Sequence, residues 1–516
     1  MAAAPWRRQG RDPDGADMAL TATRAAPIPD RWSIADLLRQ GGDERLHPDP
    51  HTGRNRYGCG AAPEPAAAAF ASTTASTISA SAYASVSAHF ESLPTGLPAQ
   101  ALYRAEAQAT REDLARLCGL PADAADNIVL APSGTDLHLF AADLAGGARA
   151  QPLMTVMPDA GETGRGVPDA VRGRRFASGA AHASAALIGE PLPGAVAGEA
   201  RAIALRDALG RPRPPGEVDA DFERACDAAV RSGRPVLLVL VDVSKSGLIA
   251  PSPACAAGLK QRHGEALTVL VDACQFRLSP ASLARYLGEG FLVAITGSKF
   301  IAGPPFSGAL VVPEAAAPRL KARPLLPALG DYSGREDWPR GFVGRAALPD
   351  LPNFGMLLRW RAALHEMAAF RALASADVAG FLRTFAGRVE GRIDAIGAFE
   401  RVAATPLARF GDDAPPDWDT VPTIFGFRVA DARGPLDAQR LQALHQDLRN
   451  PAAGGLAVHL GQPIGLGTGD GGPPPAALRI SASAPLIVEA LSAGDGGEAV
   501  IARALLALDR TAGRLA

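Results

Sequence analysis

The stretch Phe291-Leu292-Val293-Ala294-Ile295-Thr296-Gly297-Ser298-Lys299-Phe300 decides how this chain is read. Its first five residues are an apolar run of the kind that becomes a fully buried strand. The run breaks at a glycine, and a lysine stands just beyond. A second such run, Leu267-Thr268-Val269-Leu270-Val271, ends in Asp272-Ala273-Cys274-Gln275, and Lys299 follows Asp272 by 27 residues. Lysine is scarce here. Lys245, Lys260, Lys299 and Lys321 are the only four, against 52 lysines and arginines together. Arginine stays charged, whereas a lysine amine can lose its proton and attack a carbonyl. Lys299, at a strand end, is therefore expected to do chemistry closed to arginine. The other three lysines are expected to be ordinary.

Composition narrows the classes. At 516 residues the chain has length for about three domain-sized units. A net charge of −2 offers no basic field for nucleic acid, and 5% aromatics offer few rings for base stacking. Apolar runs such as Val236 to Val241 fall far short of the roughly 20 residues of a membrane span, so no membrane partner is expected. Cys59, Cys118, Cys226, Cys255 and Cys274 are scattered without CxxC spacing, which argues against a disulfide framework or a zinc site. Arg7-Arg8 is followed by no apolar segment, so it is not read as an export signal, and a cytoplasmic protein is expected. Met18 is an alternative start.

Residues 1–30 are rich in Ala, Pro, Asp and Arg and are expected to be a disordered tail. An arm of little periodicity is expected over 31–98, a large domain over 99–350 and a smaller C-terminal α+β domain over 351–516. Helices are expected over Leu102 to Leu117 and Phe354 to Leu373. A further helix carries Leu137, Phe140, Ala141 and Leu144 on one face. Strand-like runs fall at Asn127 to Leu130, Leu153 to Met157, Val236 to Val241, Leu267 to Val271, Phe291 to Ile295 and Ala309 to Val312. Alternation of this kind indicates an α/β fold with a mostly parallel sheet covered on both faces.

The polar residues at these strand ends suit pyridoxal 5′-phosphate (PLP) chemistry. That chemistry needs a lysine for the Schiff base, an acid at the pyridine nitrogen, a phosphate cradle and a substrate anchor. Lys299 and Asp272 are the candidates for the first two. Gln275 is a candidate donor to the phenolic oxygen. Ser133-Gly134-Thr135 follows a strand and opens a helix, where free N–H groups and the dipole favour an anion, although a plain helix cap reads the same way. Thr296 and Ser298 could add hydroxyls to that phosphate. Arg479, on the strand-like Ala477 to Ser483, is the candidate anchor for a substrate α-carboxylate. Asn55 and Tyr57 lie in Gly53-Arg54-Asn55-Arg56-Tyr57-Gly58, which reads equally as an arm motif touching substrate and as a simple turn. His138 is expected to be a core or helix-surface residue, and no metal ligand set is expected.

Ser133-Gly134-Thr135, Asp272-x-x-Gln275, Thr296-Gly297-Ser298-Lys299 and Gly303-Pro304-Pro305-Phe306-Ser307-Gly308 together resemble the fold-type I PLP enzymes of the class V aminotransferase and cysteine desulfurase superfamily. The resemblance runs from about Leu102 to the C-terminus. It implies PLP, a homodimer with active sites at the interface and a carboxylate-binding arginine where Arg479 falls. Two departures stand out. Ser298 precedes the lysine where many members have histidine. No ring lies between Thr155 and Arg175, where the family stacks one on the cofactor. A desulfurase of the usual form needs a cysteine well after the lysine, and none follows Cys274. An aminotransferase acting on an amino acid or related primary amine is the first expectation. A lyase of the same fold is the second. A PLP-fold binding protein without catalysis is the third.

Overall fold

β-Branched and leucine-rich runs with no charge inside them can be buried on both faces, and here they are. The computed structural model describes residues 33–94, 96–146, 151–183, 186–410, 417–450, 455–467 and 474–515. The expected tail and Met18 lie outside them. In chain order the strands are β1 (Ala68–Phe70), β2 (Ile128–Ala131), β3 (Met154–Pro158), β4 (Glu199–Ile203), β5 (Val236–Val241), β6 (Leu267–Ala273), β7 (Leu292–Thr296) and β8 (Gly308–Val311), then β9 (Phe399–Arg401), β10 (Ile424–Asp431), β11 (Gly434–Pro435), β12 (Val458–Gly465) and β13 (Ala476–Ser481).

The larger sheet has the order β2-β8-β7-β6-β5-β3-β4. Its centre is parallel, with Val241 beside Asp272 and Asp272 beside Ala294. β8 alone runs against its neighbours β2 and β7. Every residue of β5, β6 and β7 is buried. The carboxyl ends of these three strands therefore open side by side into one crevice, the place where open α/β sheets bind ligands. β4 escapes a reading from hydrophobicity because it is an edge strand with a largely exposed face.

The smaller sheet runs β1-β12-β13-β10-β11, with β9 on β10. It is antiparallel except at one edge, where β1 pairs parallel to β12. The segment expected as an arm thus supplies a strand to the C-terminal sheet. The helix Phe354–Arg371 packs against the turn after β7, where glycine is required. A Cβ on Gly297 would lie 2.4 Å from the Cβ of Ala363, and one on Gly303 would lie 2.9 Å from the Cα of Ala363. Gly297→Ala is expected to cost about 1–3 kcal/mol, the usual penalty of overpacking, read as a lower urea midpoint at unchanged slope.

Candidate active site

β7 carries Lys299 to the crevice. The turn behind it is anchored by Phe300, which stacks at 5.2 Å on Trp418 and meets Phe370 edge-on. The lysine side chain turns the other way, into a cavity of about 860 Å³. Its amine donates to the carbonyl oxygen of Thr74 and sits 5.7 Å from the centre of the Tyr57 ring. Burial pushes this amine down to about 8, with Arg479 and Arg45 adding repulsion against nearby groups that act the other way. A lowered amine pKa raises the share of free base present near neutral pH.

Asp272 lies at the end of β6 and lines the same cavity. One carboxylate oxygen accepts from the backbone N–H of Cys274 at 3.2 Å. The other lies 3.3 Å from Nε2 of His138. His138 stands one turn into the helix Gly134–Gly146, and its Nδ1 lies 2.7 Å from the carbonyl oxygen of Gly134. A carbonyl only accepts, so Nδ1 carries a proton. A neutral ring would then turn a lone pair on Nε2 toward a carboxylate. The stable arrangement is an imidazolium facing an ionised Asp272. Burial opposes both charges, but each partner outweighs it: the His138 ring is raised and the Asp272 carboxyl is lowered from their usual ranges. His138 is a core residue, as expected, with a contact that the sequence did not announce. It is buried, and it touches the acid of the site. Its position four residues after Gly134 gave no hint, because the contact depends on how the helix crosses the sheet.

Gly134 is confined by this packing, since a Cβ there would lie 2.7 Å from Cys274 Sγ. Ser133, Gly134, Thr135, Thr296 and Ser298 all line the cavity. The N–H groups that open the helix have no intrahelical partner, which makes this end an anion seat. The Ser133 hydroxyl is turned to the Asp136 carboxylate, so it caps the helix and the cradle is left to backbone and to Thr135. Burial raises Asp136 to about 7, which lightens the negative charge beside that seat. The Thr296 hydroxyl donates to the Cys274 carbonyl oxygen at 2.6 Å, and Ser298 donates to Thr296 at 3.3 Å.

The remaining candidates divide. Gln275 lines the cavity, but its Nε2 donates to the Thr73 carbonyl oxygen at 3.0 Å, leaving the acceptor Oε1 bare. One of its two amide N–H donors is therefore committed to Thr73. Arg479 lies on β13, is 2% exposed and reaches the cavity. Its Nη1 donates to the Lys245 carbonyl oxygen, its Nη2 to the Gln462 carbonyl oxygen and the Thr74 hydroxyl, and its Nε has no partner among the described residues. Burial lowers it to about 10, and Glu162 only partly restores it. Tyr57 lines the cavity, whereas Asn55 does not: its side-chain oxygen accepts from the N–H groups of Tyr57 and Cys59 and builds the turn. Glu162 and Thr163 stand where a stacked ring was sought.

The cavity fits a polar, flat, anionic group. Thr73 Oγ1, Thr163 Oγ1, Gln275 Oε1 and Arg479 Nε are buried without partners and all belong to its lining residues. Such orphans call for a ligand that supplies the missing bonds. Among the described residues no metal ligand cluster is found, and no helix is long and apolar enough to cross a membrane.

Comparison with solved structures now places the fold. The chain is similar to the cystine C–S lyase C-DES in complex with its reaction product cysteine persulfide, at 14% identity over 86% of this chain and 97% of that one, with a TM-score of 0.52. It is similar to the cysteine desulfurase CsdA from Escherichia coli, at 15% identity over 87% and 96%, TM-score 0.52. It also resembles a cysteine desulfurase from Thermococcus onnurineus NA1, at 13% identity over 84% and 94%, TM-score 0.50. No family model matches the sequence, and no curated protein does. The chain has the fold of the fold-type I PLP enzymes, as the sequence motifs implied.

Two outcomes follow from the geometry. His138→Leu strands a buried carboxylate and is expected to cost about 3–5 kcal/mol in urea denaturation. Adding Asp272→Asn should recover most of that loss in a double-mutant cycle. Lys299→Met should stabilise the cofactor-free protein at pH 7, where the ammonium is buried. The folded amine titrates near 8 and an unfolded one near 10.5. The wild type therefore sheds its penalty as pH rises from 8 toward 10.5, and calorimetry should show the mutant's advantage shrinking over that interval.

Proposed function

We propose that this chain is a PLP-dependent enzyme acting on an amino acid, with transamination as its reaction. The observation that carries the proposal is the buried amine of Lys299. It opens into a cavity shared with an ionised Asp272, a helix N-terminus suited to phosphate and the unsaturated guanidinium of Arg479. Lys299 would hold the cofactor through Nζ. Asp272 would pair with the ring nitrogen, kept ionised and aimed by His138 and the Cys274 N–H. The N–H groups that open the helix at Gly134, with the Thr135 hydroxyl, would seat the phosphate, and Thr296 and Ser298 would line it. When bound, PLP supplies an electron sink for the pair released at the substrate α-carbon.

The protein's own work is then positioning and proton traffic. Arg479 would take the α-carboxylate and so fix which substituent of the α-carbon points at the amine. Nζ of Lys299, freed by the incoming amine, would remove the α-proton and return it elsewhere. Its depressed basicity suits that exchange near neutral pH. Gln275 can accept a hydrogen bond from a protonated ring oxygen. Solved fold-type I enzymes support a dimer as the working form.

A lyase is the second reading, supported by the similarity to a cystine C–S lyase. The same lysine and aspartate would serve it. Sulfur transfer through a protein cysteine finds no support. Cys274 is the one cysteine lining the cavity, and it packs beneath Gly134 beside Asp272.

Adding PLP to the full chain should give a visible absorption band. Borohydride should then fix the cofactor at Lys299, located by mass spectrometry of the digested protein, and Lys299→Ala should lose both signals. Fixation elsewhere, or a band that survives the substitution, would overturn the assignment. Amino acids added without keto acid separate the two reactions. Conversion of the visible band to an aminated cofactor identifies transamination and its donor, whereas product release with the band retained identifies the lyase.

A further inference from the structure

Lys245 was expected to be ordinary, yet it lines the same cavity as Lys299. It rides on the turn after β5, and that turn is held rigidly. The Glu162 carboxylate accepts from the hydroxyls of Ser244 and Ser246, each at 2.6 Å, and from Arg206 Nε at 2.9 Å. Arg206 donates onward to Ser246 at 2.7 Å. The carboxylate nearest the lysine is therefore already committed. The Lys245 amine has one contact, the Ala160 carbonyl oxygen at a long 3.4 Å. Burial and the charge of Arg479 push this amine down to about 8.

Its backbone carbonyl meanwhile accepts from Arg479 Nη1 at 3.0 Å. An ammonium and a guanidinium are thus mounted side by side on one wall, and no carboxylate pairs with either among the described residues. Among the described residues, the three acidic ones that line the cavity are all engaged. Asp272 faces His138, Glu162 holds the Ser244 turn, and Glu44 accepts from the Gly179 N–H at 3.2 Å. Arg56 and Arg165, both exposed, add positive charge to the lining. A buried guanidinium beside a half-buried ammonium, neither with a paired carboxylate, is costly unless an anion arrives. A carboxylate taken by the Arg479 fork leaves the Lys245 ammonium open to a second anion.

We infer that the substrate carries a second carboxylate on its side chain, received by Lys245 while Arg479 takes the first: an acidic amino acid. The inference rests on the function proposed above, but its test does not. Succinate and propionate differ by one carboxylate and need no cofactor chemistry to bind. Titration calorimetry on the full chain should find succinate bound about tenfold more tightly than propionate. Lys245→Met should remove that preference and leave propionate affinity unchanged, and Lys245→Arg should keep most of it. Equal affinity of the wild type for the two acids would overturn the inference, as would a preference that survives Lys245→Met. Failure of the PLP reading would instead show as a missing absorption band, which calorimetry does not use.

Discussion

The segment Ser72-Thr73-Thr74 holds the two sheets to each other, and the site exists because it does. These residues are buried between the large and small sheets, where every polar atom needs a partner. The Thr74 carbonyl oxygen accepts from Lys299 and the Thr73 carbonyl oxygen from Gln275, both from the large sheet. The Thr74 hydroxyl accepts from the Gln462 N–H at 3.0 Å and from Arg479 at 3.2 Å, both from the small sheet. Ser72 closes the set, bonding Ser481 and the Ala482 carbonyl oxygen while accepting from Arg277. Losing this strip would leave buried groups unpaired on both sides. Lys299 and Arg479 are therefore set relative to each other by a third piece of chain.

Charge is managed differently on the two sides of the cavity. Toward the sheet, Asp272 is balanced by His138, and the pair is complete without ligand. Toward the small sheet, Arg479 and Lys245 have no paired carboxylate among the described residues; they bond neutral oxygens, and Glu162 only partly offsets their charge. The first arrangement favours a fixed carboxylate with a defined lone pair. The second favours uptake of an anion, since the desolvation cost has been met in folding. One cavity thus contains a finished electrostatic contact and an unfinished one.

Much of this was legible in the sequence, for identifiable reasons. The buried runs that became β5, β6 and β7 carry no charge and end in polar residues, so both the strands and the crevice at their ends could be read. Lys299, Asp272, Thr296 and Ser298 sit within three residues of those ends, where chain direction alone places them. Features that depend on how elements cross were hidden. His138 meets Asp272 through the crossing of a helix over the sheet. Lys245 gains its meaning from the arginine that bonds its carbonyl. Gln275 was read as a free donor because nothing in the local sequence announces the Thr73 carbonyl oxygen opposite. Asn55 and Tyr57 stand two apart in one turn, and the turn's own hydrogen bonds claim the first while presenting the second.

The pairing of β1 with β12 joins Ala68 to Val458 and Phe70 to Leu460. This strand is made long before the partner it pairs with, which lies far along the chain. Loop closure over so many residues is entropically costly and is paid late. Until then the apolar Phe70 and the unpaired backbone of that strand are exposed to whatever else is in reach, the condition under which large α/β chains aggregate or engage chaperones. The same geometry makes the cavity a late product of assembly. A nascent chain can form β5, β6 and β7 and place Lys299, yet it lacks Arg479 and the Thr74 contacts until its two ends meet. The contacts that set Lys299 against Arg479 therefore form only once these distant segments have come together.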